Sequence, residues 1–158
     1  MNGKLSWPIL WALVGVPIVI LSVFFIPIPA LGDFRMSSFS PLFIVIAGAI
    51  SLLLGVALIV LTVKEKVAGR LKKFFLLTGA SSPGIIVSIL LHNVVYGLFI
   101  LWFGEGFWDR IGGDEPVFFI MAVFICPLAF LVGAIGSIVL GVKNCRLAKR
   151  SPPSPQQT

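Results

Sequence analysis

The chain has 158 residues, 58% of them hydrophobic and 11% charged, with a mean hydropathy of +1.10. One domain fits that length, and a water-soluble one would need many more polar side chains to cover its surface. The net charge of +6 does not point to nucleic acid, because the basic residues flank apolar runs and form no basic domain able to hold a duplex.

The first apolar stretch covers residues 7–27, preceded by Lys4. It is long enough to cross a hydrocarbon core, which takes about 20 helical residues. Pro17 falls inside it, where a kink is expected because the ring removes one amide donor and frees the carbonyl of Leu13. Ala30-Leu31-Gly32 has the small-x-small form of a signal-peptidase site. The apolar run exceeds the usual signal core of about 7–15 residues, so it is expected to stay as a span.

The second stretch, residues 41–63, carries Ala47, Ser51 and Gly55 at four-residue spacing. Small side chains on one helix face let backbones approach closely, so this is a helix-packing face. A basic connection follows, with Lys64, Lys66, Arg70, Lys72 and Lys73 against Glu65.

The third stretch lies within residues 74–103, about 45 Å as a helix and too long for one perpendicular crossing. Two readings are open. Ser82-Pro83 has the residues of an N-cap and first helical position, which would start a span at residues 83–103. Residues 64–77 would then lie on the membrane surface, with Val67, Leu71, Phe74 and Thr78 along one side. The alternative is one long tilted helix kinked at Pro83.

Ser81, Gly84, Ser88, His92 and Tyr96 share one face of this stretch, and Asn93 and Gly97 extend its edge. Polar groups in a span turn away from lipid, so Ser88, His92, Asn93 and Tyr96 form a candidate intramembrane polar site. His92 is the only histidine. It reads as a proton-relay or ligand-binding residue, or as a neutral imidazole bonded to a neighbouring helix. The second is favoured because no Asp or Glu lies inside a span to partner it.

The connection at residues 104–115 has four acids against Arg110, and Trp102, Phe103, Phe107 and Trp108 at its start suit a membrane interface. The fourth stretch, residues 116–142, carries Ala129, Gly133, Ser137 and Gly141 at four-residue spacing, a second packing face continued by Ala122 and Cys126. Pro127 should kink it and free the carbonyl of Val123. An ungapped match between residues 41–56 and 127–142 hints at duplication, but the two segments start at different depths. Cys126 and Cys145 would stand about 28 Å apart on one helix, which excludes a disulfide between them. Cys145 is a membrane-proximal thiol of the kind that can be palmitoylated. Residues 144–158 read as a basic, Pro-rich, disordered tail, in which Pro152 and Pro155 give only a minimal PxxP spacing.

Ten of the twelve basic residues sit before the first stretch, between the second and third, and after the fourth. The positive-inside rule then places both termini and the central connection in the cytoplasm. The expected fold is an all-α integral membrane protein, a four-helix transmembrane bundle in the plasma membrane. The paired cysteines of tetraspanins, the W-GLW-C-C pattern of claudins, the CxxC of quinone-linked oxidoreductases and the Glu-centred span of small multidrug exporters are all missing from the sequence. No nucleophile–base pair, paired carboxylates or metal cluster is legible, so no enzyme activity, metal or cofactor is expected. The expected partners are the bilayer, anionic lipids at the cytoplasmic face, and copies of the chain or a larger membrane complex, with no nucleic acid. The role is expected to be structural or accessory. The alternative is a transporter or channel subunit whose polar face is built around His92 and Tyr96.

Overall fold

The computed structural model describes the backbone of residues 4–25, 41–113 and 115–150, and the side chains of residues 4–22, 45–113 and 115–147. Ala30-Leu31-Gly32 and the PxxP segment lie outside the described residues. Every regular element among the described residues is helical: α1 (Ser6–Phe25), α2 (Pro41–Lys64), α3 (Gly69–Phe103), the short α4 (Phe107–Ile111) and α5. The last is continuous, with Pro116–Ile120, a π turn at Met121–Ile125 and Cys126–Arg150 in succession. Three helices are long and apolar enough to cross a membrane, over Val45–Lys64, Gly69–Phe103 and Pro116–Leu147. In α1 the apolar stretch Ser6–Ser22 is shorter.

Local chemistry sets the helix ends. Pro41 and Pro116 stand at first helical positions, where a missing amide costs nothing. α2 stops in a Schellman turn: the Val67 amide donates to Thr62 O at 3.2 Å and the Lys66 amide to Val63 O at 3.1 Å. Lys66 takes the left-handed position, φ 51°, that glycine usually fills. Val67 beyond it is buried and joins the core.

α3 runs unbroken for 35 residues, about 52 Å, so the surface helix followed by a separate span is not formed. Ser82 does not cap a new helix. Its hydroxyl donates to Ser51 O on α2 at 2.8 Å, and helix continues through Pro83. The effect of Pro127 is also concrete. Directly before it the bonding widens to the π pattern, with the Cys126 amide donating to Met121 O. Helix then continues to Arg150, so residues 144–150 of the expected tail belong to α5, and residues 151–158 lie outside the described residues.

The helices pack in the order α1–α2–α3–α5. Leu10, Leu13, Leu58, Val67 and Phe75 form the buried core, with Trp7, Leu71 and Phe130 against it. All of these lie toward the end of the bundle that carries the basic connection. Close backbone approach holds the same half together. A Cβ on Gly55 would stand 2.7 Å from both Gly79 O and Pro83 Cδ, and one on Gly133 would stand 2.8 Å from the Thr78 amide nitrogen. Gly136 packs on the Phe74 ring, and Gly141 meets the Trp7 ring.

These contacts also fix the register. Trp7 lies against Phe75, Gly48 against Ile86 and Glu115 against His92. Counting along each helix from its contact brings the end of α1 and the starts of α2 and α5 to the level of His92. The last ten residues of α3 therefore stand beyond the other long helices by about 15 Å. α4 folds back along that projection and returns the chain to Glu115.

Candidate functional site

The sequence singled out Ser88, His92, Asn93 and Tyr96, and the structure distributes them over three surroundings. Ser88 is buried. Asn93 is exposed and turns its amide back to Ile89 O at 2.7 Å. Tyr96 stacks on Trp108 of α4, with ring centroids 5.5 Å apart and planes 7° from parallel. The Trp108 indole N–H donates to the Tyr96 carbonyl at 3.2 Å, which binds the fold-back of α4 to the tip of α3. Phe99, Trp102, Phe103 and Phe107 complete a continuous aromatic cluster there.

His92 is where sequence reasoning has to be corrected. A carboxylate does partner it. Nδ1 lies 3.2 Å from the carbonyl oxygen of Glu115 and 3.4 Å from its carboxylate Oε2. Both partners are acceptors, so Nδ1 carries the proton and donates. The Glu115 carboxylate in turn accepts from the amides of Val117 at 2.7 Å and Phe118 at 3.1 Å, capping α5. One side chain thus fixes the start of α5 and clasps it to α3, with the Phe119 ring packed beside the imidazole at 6.1 Å. The pair was missed because Glu115 was assigned to a loop outside the bundle. An acid directly before a proline signals a cap, but its contact with His92 depends on how the chain folds back.

Two other charged residues of the connections serve helix ends as well. Arg110 donates to Phe103 O at 3.0 Å and Gly106 O at 3.1 Å, placing a cation at the C-terminus of α3. Glu65, the one acid of the basic connection, caps α1 from across the bundle. It accepts from the Ser6 hydroxyl, from the Leu5 amide at 2.7 Å and from the Ser6 amide at 3.1 Å. The Ser6 hydroxyl and then the Leu5 amide hold the Glu65 carboxyl below its ordinary value; desolvation opposes them less strongly, and the Ser6 amide adds the smallest effect.

The two small-residue faces point inward within the single chain. Gly55 meets Gly79 and Pro83, the Ser51 carbonyl accepts from Ser82, Gly133 meets Thr78, and Gly141 meets Trp7. Ser137 is buried with its hydroxyl on Gly133 O at 2.8 Å, while Ala47 and Ala129 are half-buried. The hydroxyls of Thr62, Thr78 and Ser81 likewise return to the carbonyl four residues back. Cys126 is buried against Gly84 and Cys145 is exposed at the other end of α5. Among the described residues no three His, Cys, Asp or Glu side chains gather closely enough to hold a metal ion.

The arrangement defines a class by its build alone: among the described residues the regular structure is all helical, with three long apolar helices able to span a membrane, as in a multi-pass membrane protein. Searches of protein-family models, of curated proteins and of solved structures find no match to this chain.

Proposed function

We propose that the chain is a four-span membrane protein with both termini and the α2–α3 connection in the cytoplasm, acting as a non-enzymatic structural or accessory subunit of a larger complex in the plasma membrane. α1, at 20 residues and about 30 Å, supplies the fourth crossing. Residues 74–93 of α3 match a hydrocarbon core of about 30 Å, with Arg70, Lys72 and Lys73 below it. His92 and Glu115 then sit at the far boundary of the hydrocarbon, and the aromatic tip lies among headgroups or beyond them.

The observation that carries the accessory reading is the division of surfaces. Small residues and hydroxyls are spent closing the monomer, whereas the α3 tip stands clear, with Leu101 77%, Trp102 67% and Phe103 53% exposed. A partner subunit is therefore met at this tip. Leu101→Ser combined with Trp102→Ser should release partners from the complex purified in mild detergent, while the monomer unfolds as before. An unchanged partner set and complex size would sink the reading. Sidedness is tested with Gly106→Cys in a Cys145→Ser background. A membrane-impermeant thiol reagent should reach the thiol introduced in the α3–α4 connection from outside intact cells. It should reach Cys145 of the unaltered chain only after lysis.

The His92–Glu115 pair favours a second reading, a transporter or channel subunit in which this pair handles a proton. Proteoliposomes enclosing a pH-sensitive dye decide it. A proton flux through the native chain that His92→Ala abolishes would replace the accessory reading; no flux in either leaves that reading standing.

A further inference from the structure

α1 packs against α2 and has no extensive backbone approach to α5. Between α1 and α5, beside the contact of Trp7 with Gly141, a crevice of about 410 Å³ opens toward the surface. Its walls are graded along the bundle axis. Trp11, Ile138 and Val142 make the deep part apolar, and Arg146 lies at the shallow end, one turn beyond Val142. Lys143 lines the adjoining groove on the other side of Ile138 and Val142, together with Arg146.

Charge at this end is not neutralised from within. Among the described residues neither Lys143 nor Arg146 forms an ion pair, and the nearby acid, Glu65, is engaged by Leu5 and Ser6. An apolar cleft leading up to two cations, with an indole at the depth where acyl chain meets headgroup, has the polarity profile of a phospholipid.

We propose that the α1–α5 crevice is a binding site for an acidic phospholipid, its acyl chain against Trp11, its glycerol and ester region beside Ile138 and Val142 and its phosphate on Arg146 and Lys143. The proposal rests on the membrane insertion proposed above. Zwitterionic lipids share the apolar part but bring their own cation to the two basic side chains, so the site selects on net headgroup charge.

The test uses the full chain in vesicles of phosphatidylcholine containing a minor fraction of brominated phosphatidylglycerol or brominated phosphatidylcholine, read by tryptophan quenching. Native mass spectrometry of the detergent-purified chain counts retained lipid in parallel. Brominated phosphatidylglycerol should quench in preference, by about fivefold for each basic side chain engaged. Lys143→Gln with Arg146→Gln should remove the preference, whereas Lys72→Gln with Lys73→Gln, which deletes the same charge from α3, should leave it. Equal loss in both double variants would show diffuse surface attraction and overturn the site. Equal quenching by the two brominated lipids would also overturn it while leaving membrane insertion intact. If neither lipid quenches, the insertion on which the site rests fails with it.

Discussion

The two ends of this bundle are held together by opposite means. At the basic end, four helices close on one another because side chains are missing: Gly55, Gly79, Gly133 and Gly141 let backbone and ring atoms touch, around a fully buried Phe75. At the His92 end, contact is made by large groups reaching across gaps, the Tyr96–Trp108 stack and the carboxylate of Glu115 spanning to His92. Close backbone packing tolerates little change in volume, whereas rings and caps on a projecting tip leave room around them. The same substitution should therefore have unequal effects at the two ends.

The widest gap is expected for aromatic truncation. Phe75→Ala empties a site with no solvent exposure and should cost about 3–5 kcal/mol. Trp102→Ala, on a ring 67% exposed, should stay within about 0.5 kcal/mol. Unfolding by detergent titration in micelles measures both, and equal losses would erase the distinction. Glycine enlargement comes next. Gly133→Leu drives a side chain into Thr78 and should cost about 3 kcal/mol, whereas Gly97→Leu meets nothing within 4 Å and should be near neutral. If Gly97→Leu were the more damaging, the tip would hold contacts that these positions do not reveal.

A smaller change tests the boundary of the basic end. Lys66 occupies a left-handed position that glycine adopts without steric cost, so Lys66→Gly should raise stability by up to about 1 kcal/mol. A loss instead would mean that the Lys66 stem, beside Trp7 and Leu71, contributes more than its backbone strain removes.

How much of this was legible beforehand follows from which interactions are local. The extent of α2 was readable from one apolar run opened by Pro41 and closed by charge. The stripes through Gly55 and Gly133 were readable as close-packing faces, but spacing on one helix does not name the helix opposite. The start of α3 was undecidable, because Ser82-Pro83 carries a helix-start signal that a neighbouring helix can overrule. Here Ser51 O takes the Ser82 hydroxyl, and the carbonyl freed by Pro83, that of Gly79, turns toward Gly55. The clasp of His92 by Glu115 was out of reach for a similar reason. It depends on α4 folding back along α3, which rests on the pairing of Tyr96 with Trp108 and on nothing periodic.

The smallest effect belongs to Glu65, and pH exposes it. Its folded-state carboxyl titrates below the ordinary value of 4.5 because the Ser6 hydroxyl and the Leu5 and Ser6 amides favour the anion. The stabilisation it gives to the α1 start is therefore complete above that ordinary value. It declines as pH falls through the lower, folded-state one. Glu65→Gln keeps the shape and loses the charge, so its deficit should be constant near neutrality and shrink below pH 4.5. Hydrogen exchange at the Leu5 and Ser6 amides, corrected for intrinsic rate at each pH, reads this directly. Protection should be weaker in the variant at neutral pH, and the two chains should converge in acid. A difference that persisted unchanged at low pH would mean that the amide side chain fails on geometry and not on charge. The α1 start would then be held by packing of Trp7 and Leu10, as the rest of that end is.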